Sequence, residues 1–592
     1  MADAKLGASL VRMRQRRTGP LILELDLTDG IAEGPPADPL SALLAIRRTR
    51  LGDLLDGLRR AAADDRVRAL VVKVGGSRIG LAKIQELRAA IGDFRRSGKL
   101  AVAWSESFGD FIQGNLPYYL ASGFDRIYLQ PSGTLGLTGV AVEQVFLHGA
   151  LEKLGIDFQS AKRHEYKSAA DQLTESGFTG PSREAAARLA ESVTEQLAGA
   201  VAAGRGLTVE RATELLRRGP FLAAQALDEG LVDGLLYRDE VYDQVRKAAG
   251  PAATLLYLQR YQRAQSLSDL PKRLGSTAAQ VAPGHHERFV AVIYAHGAIR
   301  AGRTGRGGPG GGGMGSDTVA AALRAAAADE DAQAVVLRVD SPGGSYTASD
   351  VIWREVVRLR AAGKPVIVSM GDVAASGGYF IAAPADVIVA QPGTVTGSIG
   401  VILGKPVLRD LFGRAGVATD TITDAAGAGV ATMFSSARPF SDTEWARINE
   451  WLDAVYADFT EKVAAGRRLS AERVHELARG RVWTGADAIA NGLADEAGGL
   501  REATAIARKR AGLPDGAPVR VYPRLGPFDQ LRPAESSESR PAARRQLDPG
   551  TAGASALAAL FADGWGPAWR FAAAAGLPAY GPLTLPGTYK FS

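Results

Sequence analysis

The chain has no cysteine among its 592 residues. That excludes disulfides, thiolate nucleophiles and cysteine-built metal sites, and it removes redox state as a clue to compartment. Histidine is nearly as scarce. Only His148, His164, His285, His286, His296 and His475 occur, none in an HExxH arrangement and none inside a strong motif. A Ser-His-Asp triad does not depend on sequence order, so scarcity alone does not exclude one. Long apolar runs are also missing. No stretch of about 20 apolar residues is present to span a bilayer. The basic start (Lys5, Arg12, Arg14, Arg16 and Arg17) is not followed by the apolar core of a secretory signal. These absences predict a cytoplasmic protein or one held peripherally at the membrane. The basic start is either a solvated end or a contact for anionic lipid. Neither sign of charge dominates: 70 basic against 64 acidic residues gives a net +6, and no nucleic-acid partner is expected.

What is present is repetition. A chain this long exceeds one compact core, so two or more domains are expected. Tyr118–Val140 matches Tyr379–Val401 without a gap at an offset of 261, with 9 of 23 positions identical. Leu58–Val74 matches Leu323–Val339 at an offset of 265, with 9 of 17 identical. Two blocks in the same order, differing by a short loop change, indicate one fold written twice. The copies are expected at 21–265 and 285–525, after a basic segment at 1–20. A polar, proline-bearing linker at 266–284 separates them, and a linker plus aromatic-rich tail follows at 526–592.

Each copy alternates strand-like and helix-like patterns, which implies crossovers and a largely parallel sheet in an α/β fold. In the first copy Leu21–Leu27, Ala69–Val74, Leu100–Trp104 and Arg126–Leu129 read as strands. In the second, Phe289–Tyr294, Ala334–Val339, Pro365–Met370 and Val387–Ala390 read as strands, and Thr318–Ala328 and Asp350–Arg360 as helices. The tail carries Phe561, Trp565, Trp569, Phe571, Tyr580, Tyr589 and Phe591, a set that packs on the protein body or docks at a membrane interface.

The two copies differ where chemistry is concerned. The first has Lys167 in Tyr166-Lys167-Ser168-Ala169, and the 261 offset lands on Ala428. The second has Ser376 in Ala374-Ala375-Ser376-Gly377-Gly378-Tyr379, and the same offset lands on Asn115. A hydroxyl nucleophile needs a base, so a serine–lysine hydrolase with the pair split across the copies is suggested. Ser376 follows a strand and a short Gly371-Asp372 turn, at the start of a helix. It is therefore either a nucleophile or a simple N-cap. The glycine amides of Asp340-Ser341-Pro342-Gly343-Gly344-Ser345, with that of Gly377, either line an oxyanion hole or close a tight turn. A lysine base must be neutral, although its free pKa is roughly 10.4. Burial lowers that value, at a cost of about 4 kcal/mol for about 3 units. Such a site is dry, and a hydroxyl should hold the amine. Ser398, in Thr396-Gly397-Ser398-Ile399-Gly400, is the candidate. Gly400 to Pro406 is not a P-loop, because the glycine spacing is one residue short and proline stands where magnesium needs a hydroxyl. Arg303–Gly315 reads as a mobile loop, or as a lid over a site.

Together these four motifs resemble the signal peptide peptidase A family in its long, duplicated form, over roughly residues 20–525. The resemblance implies tandem Clp protease/crotonase-like domains of spiralled ββα units, assembled as a homotetramer. It implies Ser376 as nucleophile, Lys167 as general base and Ser398 as the residue that orients it. Gly343, Gly344 and Gly377 would lie at the oxyanion hole. The expected substrates are hydrophobic, signal-peptide-like peptides, cut without metal or other cofactor. A crotonase-like acyl-CoA enzyme and a non-enzymatic membrane-associated scaffold are the alternatives.

Overall fold

A computed structural model of the chain describes residues 18–28, 30–34, 49–75, 79–109, 113–262, 287–304, 313–422, 430, 432–522 and 583–584. The basic start to residue 17, the linker at 266–284, most of the Arg303–Gly315 loop and the aromatic tail, apart from Leu583 and Thr584, lie outside the described residues.

The first half builds a six-stranded sheet. Its strands are β1 (Leu21–Asp26), β2 (Val67–Lys73), β3 (Leu100–Ser105) and β4 (Arg126–Leu129). After β5 (Asp157–Arg163), which lies outside this sheet, come β6 (Gly234–Leu235) and β7 (Thr254–Tyr257). The order is β6-β4-β3-β2-β1-β7, and every pairing is parallel. These strands are apolar runs because helices cover both faces, so no polar alternation is needed. Helix α1 (Leu51–Ala63) buries Leu54, Leu58 and Ala61, and α2 (Leu81–Arg96) buries Ile84, Leu87 and Ile91. Both feed a core with Leu23, Leu70 and Tyr118.

The second half repeats the plan. Strands β8 (Phe289–His296), β9 (Ala332–Ser341), β11 (Val366–Ala375) and β13 (Val395–Gly397) lie side by side, with the short β10 (Gly343–Gly344) just past the end of β9. β12 (Val387–Ala390) also pairs with β11. β14 (Val401–Val407) leaves the sheet, β15 (Val482–Thr484) adds antiparallel to β13, and β16 (Glu496–Ala497) and β17 (Val519–Val521) complete it. Helices Ser316–Ala328 and Tyr346–Ala361 pack into its core with Leu337, Val356 and Val368.

The strands and helices expected from sequence are all present, most of them longer by one to five residues at their ends. One expectation is corrected. Gly371 and Asp372 do not form a turn but lie inside β11, which runs unbroken to Ala375. The apolar pattern stops at Met370, so the last turn-like residues gave no strand signal. What keeps them in the strand is pairing on either side of them, Met370 with Val339 before and Ala374 with Ser341 and Thr396 after.

The halves are stitched together. β5 of the first half pairs antiparallel with β14 of the second, from Arg163 opposite Val401 to Asp157 opposite Val407. Helix α3 (Gly180–Arg205) lays Leu189 against Ala375, Val395 and Val482, and its Ser192 hydroxyl lies 2.9 Å from that of Thr484.

Candidate active site

The β5–β14 ribbon sets the geometry. β14 begins three residues after Ser398, and β5 ends four residues before Lys167, so pairing them brings the two loops together. The loop at 479–481 then clamps both. Tyr166 donates its backbone amide to Arg479, and Ser398 donates its own to Arg481, at 3.2 and 2.7 Å. Gly480 adopts φ +86°, and a Cβ there would collide with the Lys167 backbone.

The Lys167 side chain is fully buried. Its Nζ lies 2.9 Å from Ser376 Oγ, 2.9 Å from Ser398 Oγ and 3.0 Å from the Ser398 carbonyl oxygen. Burial pushes its pKa well below the ordinary 10.5. The neighbouring Glu165 is taken up by Arg479 in an ion pair. The lysine expected to meet a serine from the other copy does so, and Ser398 contacts the same amine.

Ser376 occupies the turn between β11 and the short helix Gly377–Ala382. Its φ of +54° is uncommon for a residue with a side chain and marks a strained turn. Its hydroxyl forms no helix cap and is directed to Lys167 instead, so the N-cap reading fails. The amide of Ser376 is anchored on the Gly397 carbonyl at 2.8 Å. Ser398 is likewise held at φ +50°.

The three glycines converge beside this turn. A Cβ on Gly377 would lie 3.1 Å from Gly343 Cα and 3.2 Å from Gly344 N, so only glycine lets the segments approach this closely. Gly343 and Gly344 both have positive φ, at 98° and 152°. The Gly343 amide donates to Ser341 Oγ at 3.2 Å. At the equivalent position of the first half, Asn115 accepts from the Thr138 amide at 2.9 Å, a structural contact. Sequence reasoning missed the clamp at 479–481, because Ala478-Arg479-Gly480-Arg481 carries no motif and acts through its backbone.

The model of the peptidase family S49 matches the chain twice, over residues 94–251 and 358–514. The chain belongs to peptidase family S49. As an S49 peptidase it is a serine peptidase. It is 31% identical over 468 residues to the chloroplastic serine protease SPPA of Arabidopsis thaliana, a match covering 78% of this chain and 66% of that one. It is 32% identical over 477 residues to protease 4 of Salmonella typhi, covering 79% of this chain and 73% of that protein. Protease 4 of Haemophilus influenzae is 31% identical over 472 residues, with 77% and 72% covered. Among the described residues no helix is long and apolar enough to cross a membrane.

Proposed function

We propose that this S49 peptidase is an endopeptidase in which Ser376 is the nucleophile and Lys167 the general base, acting on hydrophobic peptides such as released signal peptides. The observation that carries this is the buried Lys167 amine, 2.9 Å from Ser376 Oγ, with burial as the cause of its lowered pKa. A neutral amine has two N–H donors and one lone pair. Its three neighbours fit that inventory: the Ser398 carbonyl and Ser398 Oγ take the two N–H groups, and the lone pair faces the Ser376 O–H. Ser398 thus orients the base.

In the reaction, Ser376 Oγ bonds to the peptide carbonyl carbon as its proton passes to Lys167. The carbonyl electron pair moves onto the oxygen, which amides of the Gly343, Gly344 and Gly377 cluster stabilise. Collapse breaks the C–N bond, and the Lys167 ammonium protonates the leaving amine. Lys167 then takes a proton from water as it attacks the acyl-enzyme, and returns that proton to Ser376. An acyl-CoA enzyme of similar fold would have no use for a buried amine on a serine hydroxyl.

Extended peptides suit the cleft because the Gly343–Gly344 edge already accepts a strand. Leu583–Thr584 of the same chain pairs with it antiparallel. We read each half as a Clp protease/crotonase-like domain, with the halves divided at 266–284. We also read the chain as a subunit of a homotetramer. We read its work as lying at a membrane surface, as a peripheral protein, where hydrophobic peptides of this kind would be met. The test is fluorophosphonate labelling with peptide mapping. Labelling at Ser376 that collapses in Lys167→Ala is expected; its absence in folded wild type overturns the reading.

A further inference from the structure

A buried cluster of charge lies directly behind the Ser376 turn, and the reaction as written does not use it. Between the pairs Val339–Met370 and Ser341–Ala374, one residue of β9 faces three of β11. Such a bulge bends its strand and re-aims the residues that follow. Here those residues are the Ser376 turn on β11 and, on β9, the Gly343–Gly344 edge.

Two carboxylates lock the bulge. Asp340 accepts the Val373 amide at 3.1 Å across it, and Asp372 sits within it. Both are partly buried and on neighbouring strands, so they repel unless a cation lies between them. The cation comes from the first half. Lys83, near the start of α2, reaches Asp340 Oδ2 at 2.9 Å, Glu33 Oε2 at 3.3 Å and, closest of all, Asp372 Oδ2. Its backbone amide also donates to Asp372 Oδ1 at 3.1 Å. Gly80 makes room for this, since a Cβ there would collide with the Asp372 carboxylate. Burial alone would raise the pKa of Asp340, but Lys83 and His296 hold it low. The rest of the cluster is Arg338 paired with Glu33 and Glu86 at 2.5 and 2.7 Å, and His296 at 3.8 Å from Asp340.

We propose that Lys83 is a positioning residue for peptide cleavage. By bridging Asp340 and Asp372 it holds the β11 bulge, and so sets the Gly343–Gly344 amides and the Ser376 hydroxyl at the separation the tetrahedral intermediate needs. The inference rests on the Ser376–Lys167 reading, so it is scored against wild type that labels at Ser376; a wild type without that label overturns both.

The experiment compares Lys83→Met, Lys83→Met/Asp372→Asn and Lys83→Arg in the full chain. Active sites are counted by phosphonate titration and stability by urea midpoint. Lys83→Met is expected to lower kcat per titrated site roughly 100-fold, the scale of a small misplacement of reacting groups, with KM little changed. The double variant removes the unpaired carboxylate, so it should regain stability while kcat stays low. Lys83→Arg should recover part of kcat. Wild-type kcat per site in either methionine variant overturns the proposal, as does a loss confined to KM. If neither methionine variant folds, Lys83 serves folding alone and the proposal is equally overturned.

Discussion

In the proposed mechanism the chemistry turns on the Lys167 amine, and its environment has consequences at two levels. As the proposed base it must be neutral, so kcat/KM should rise with pH through the lowered Lys167 pKa and level off well below 10.5. A pH–rate profile with its acid limb near the ordinary lysine value would contradict a buried neutral base. The same burial has a cost in stability. Between the folded-state value and 10.5 the unfolded chain binds a proton that the folded chain does not. Stability therefore rises with pH across that window, by about 1.4 kcal/mol per unit, and the penalty is fully present below it. Lys167→Met removes this term. Its urea midpoint should exceed that of wild type at neutral pH, and the gap should close as pH approaches 10.5.

At the scale of elements, the site is made by strand ends and by one loop that grips both reactive segments through its backbone. The 479–481 loop holds Tyr166 and Ser398 through its carbonyls, and Gly480 fits against Lys167 only because it lacks a Cβ. Gly480→Ala must find room against the Lys167 backbone at a φ that costs an L-residue about 1–2 kcal/mol. We expect a folded protein with kcat reduced at least roughly 10-fold, since displacement of the base is felt in the chemical step. Steady-state kinetics at saturating peptide measures it; unchanged kcat would mean that the clamp does not position Lys167.

For the whole molecule, the proposed mechanism makes the duplication a division of labour. One half supplies Lys167 and the other Ser376, and the β5–β14 ribbon joins them within a single chain. Mixing Lys167→Ala with Ser376→Ala protein, including after joint unfolding and refolding, should therefore restore no activity. Recovery in hybrids would mean that the pair also forms between chains. Neither half is expected to label with a phosphonate when expressed alone, because each lacks one partner and the clamp between them.

The order of strands and helices, the duplication and the two candidate reactive residues were legible in the sequence. They depend on local apolar patterning and on motifs a few residues long, such as the glycines flanking Ser376. The end of β11 was not legible, because Gly371 and Asp372 read as a turn and are kept in the strand only by the pairing of the residues on either side of them. The clamp at 479–481 was not legible either, because backbone carbonyls leave no trace in residue type. Nor was the Lys83 bridge, whose partners lie more than 250 positions away along the chain. The sequence by itself determined which groups could react. Only the tertiary structure decided that Lys167 is dry enough to be a base and near enough to Ser376 to use, because burial and distance are set by strand pairing between halves.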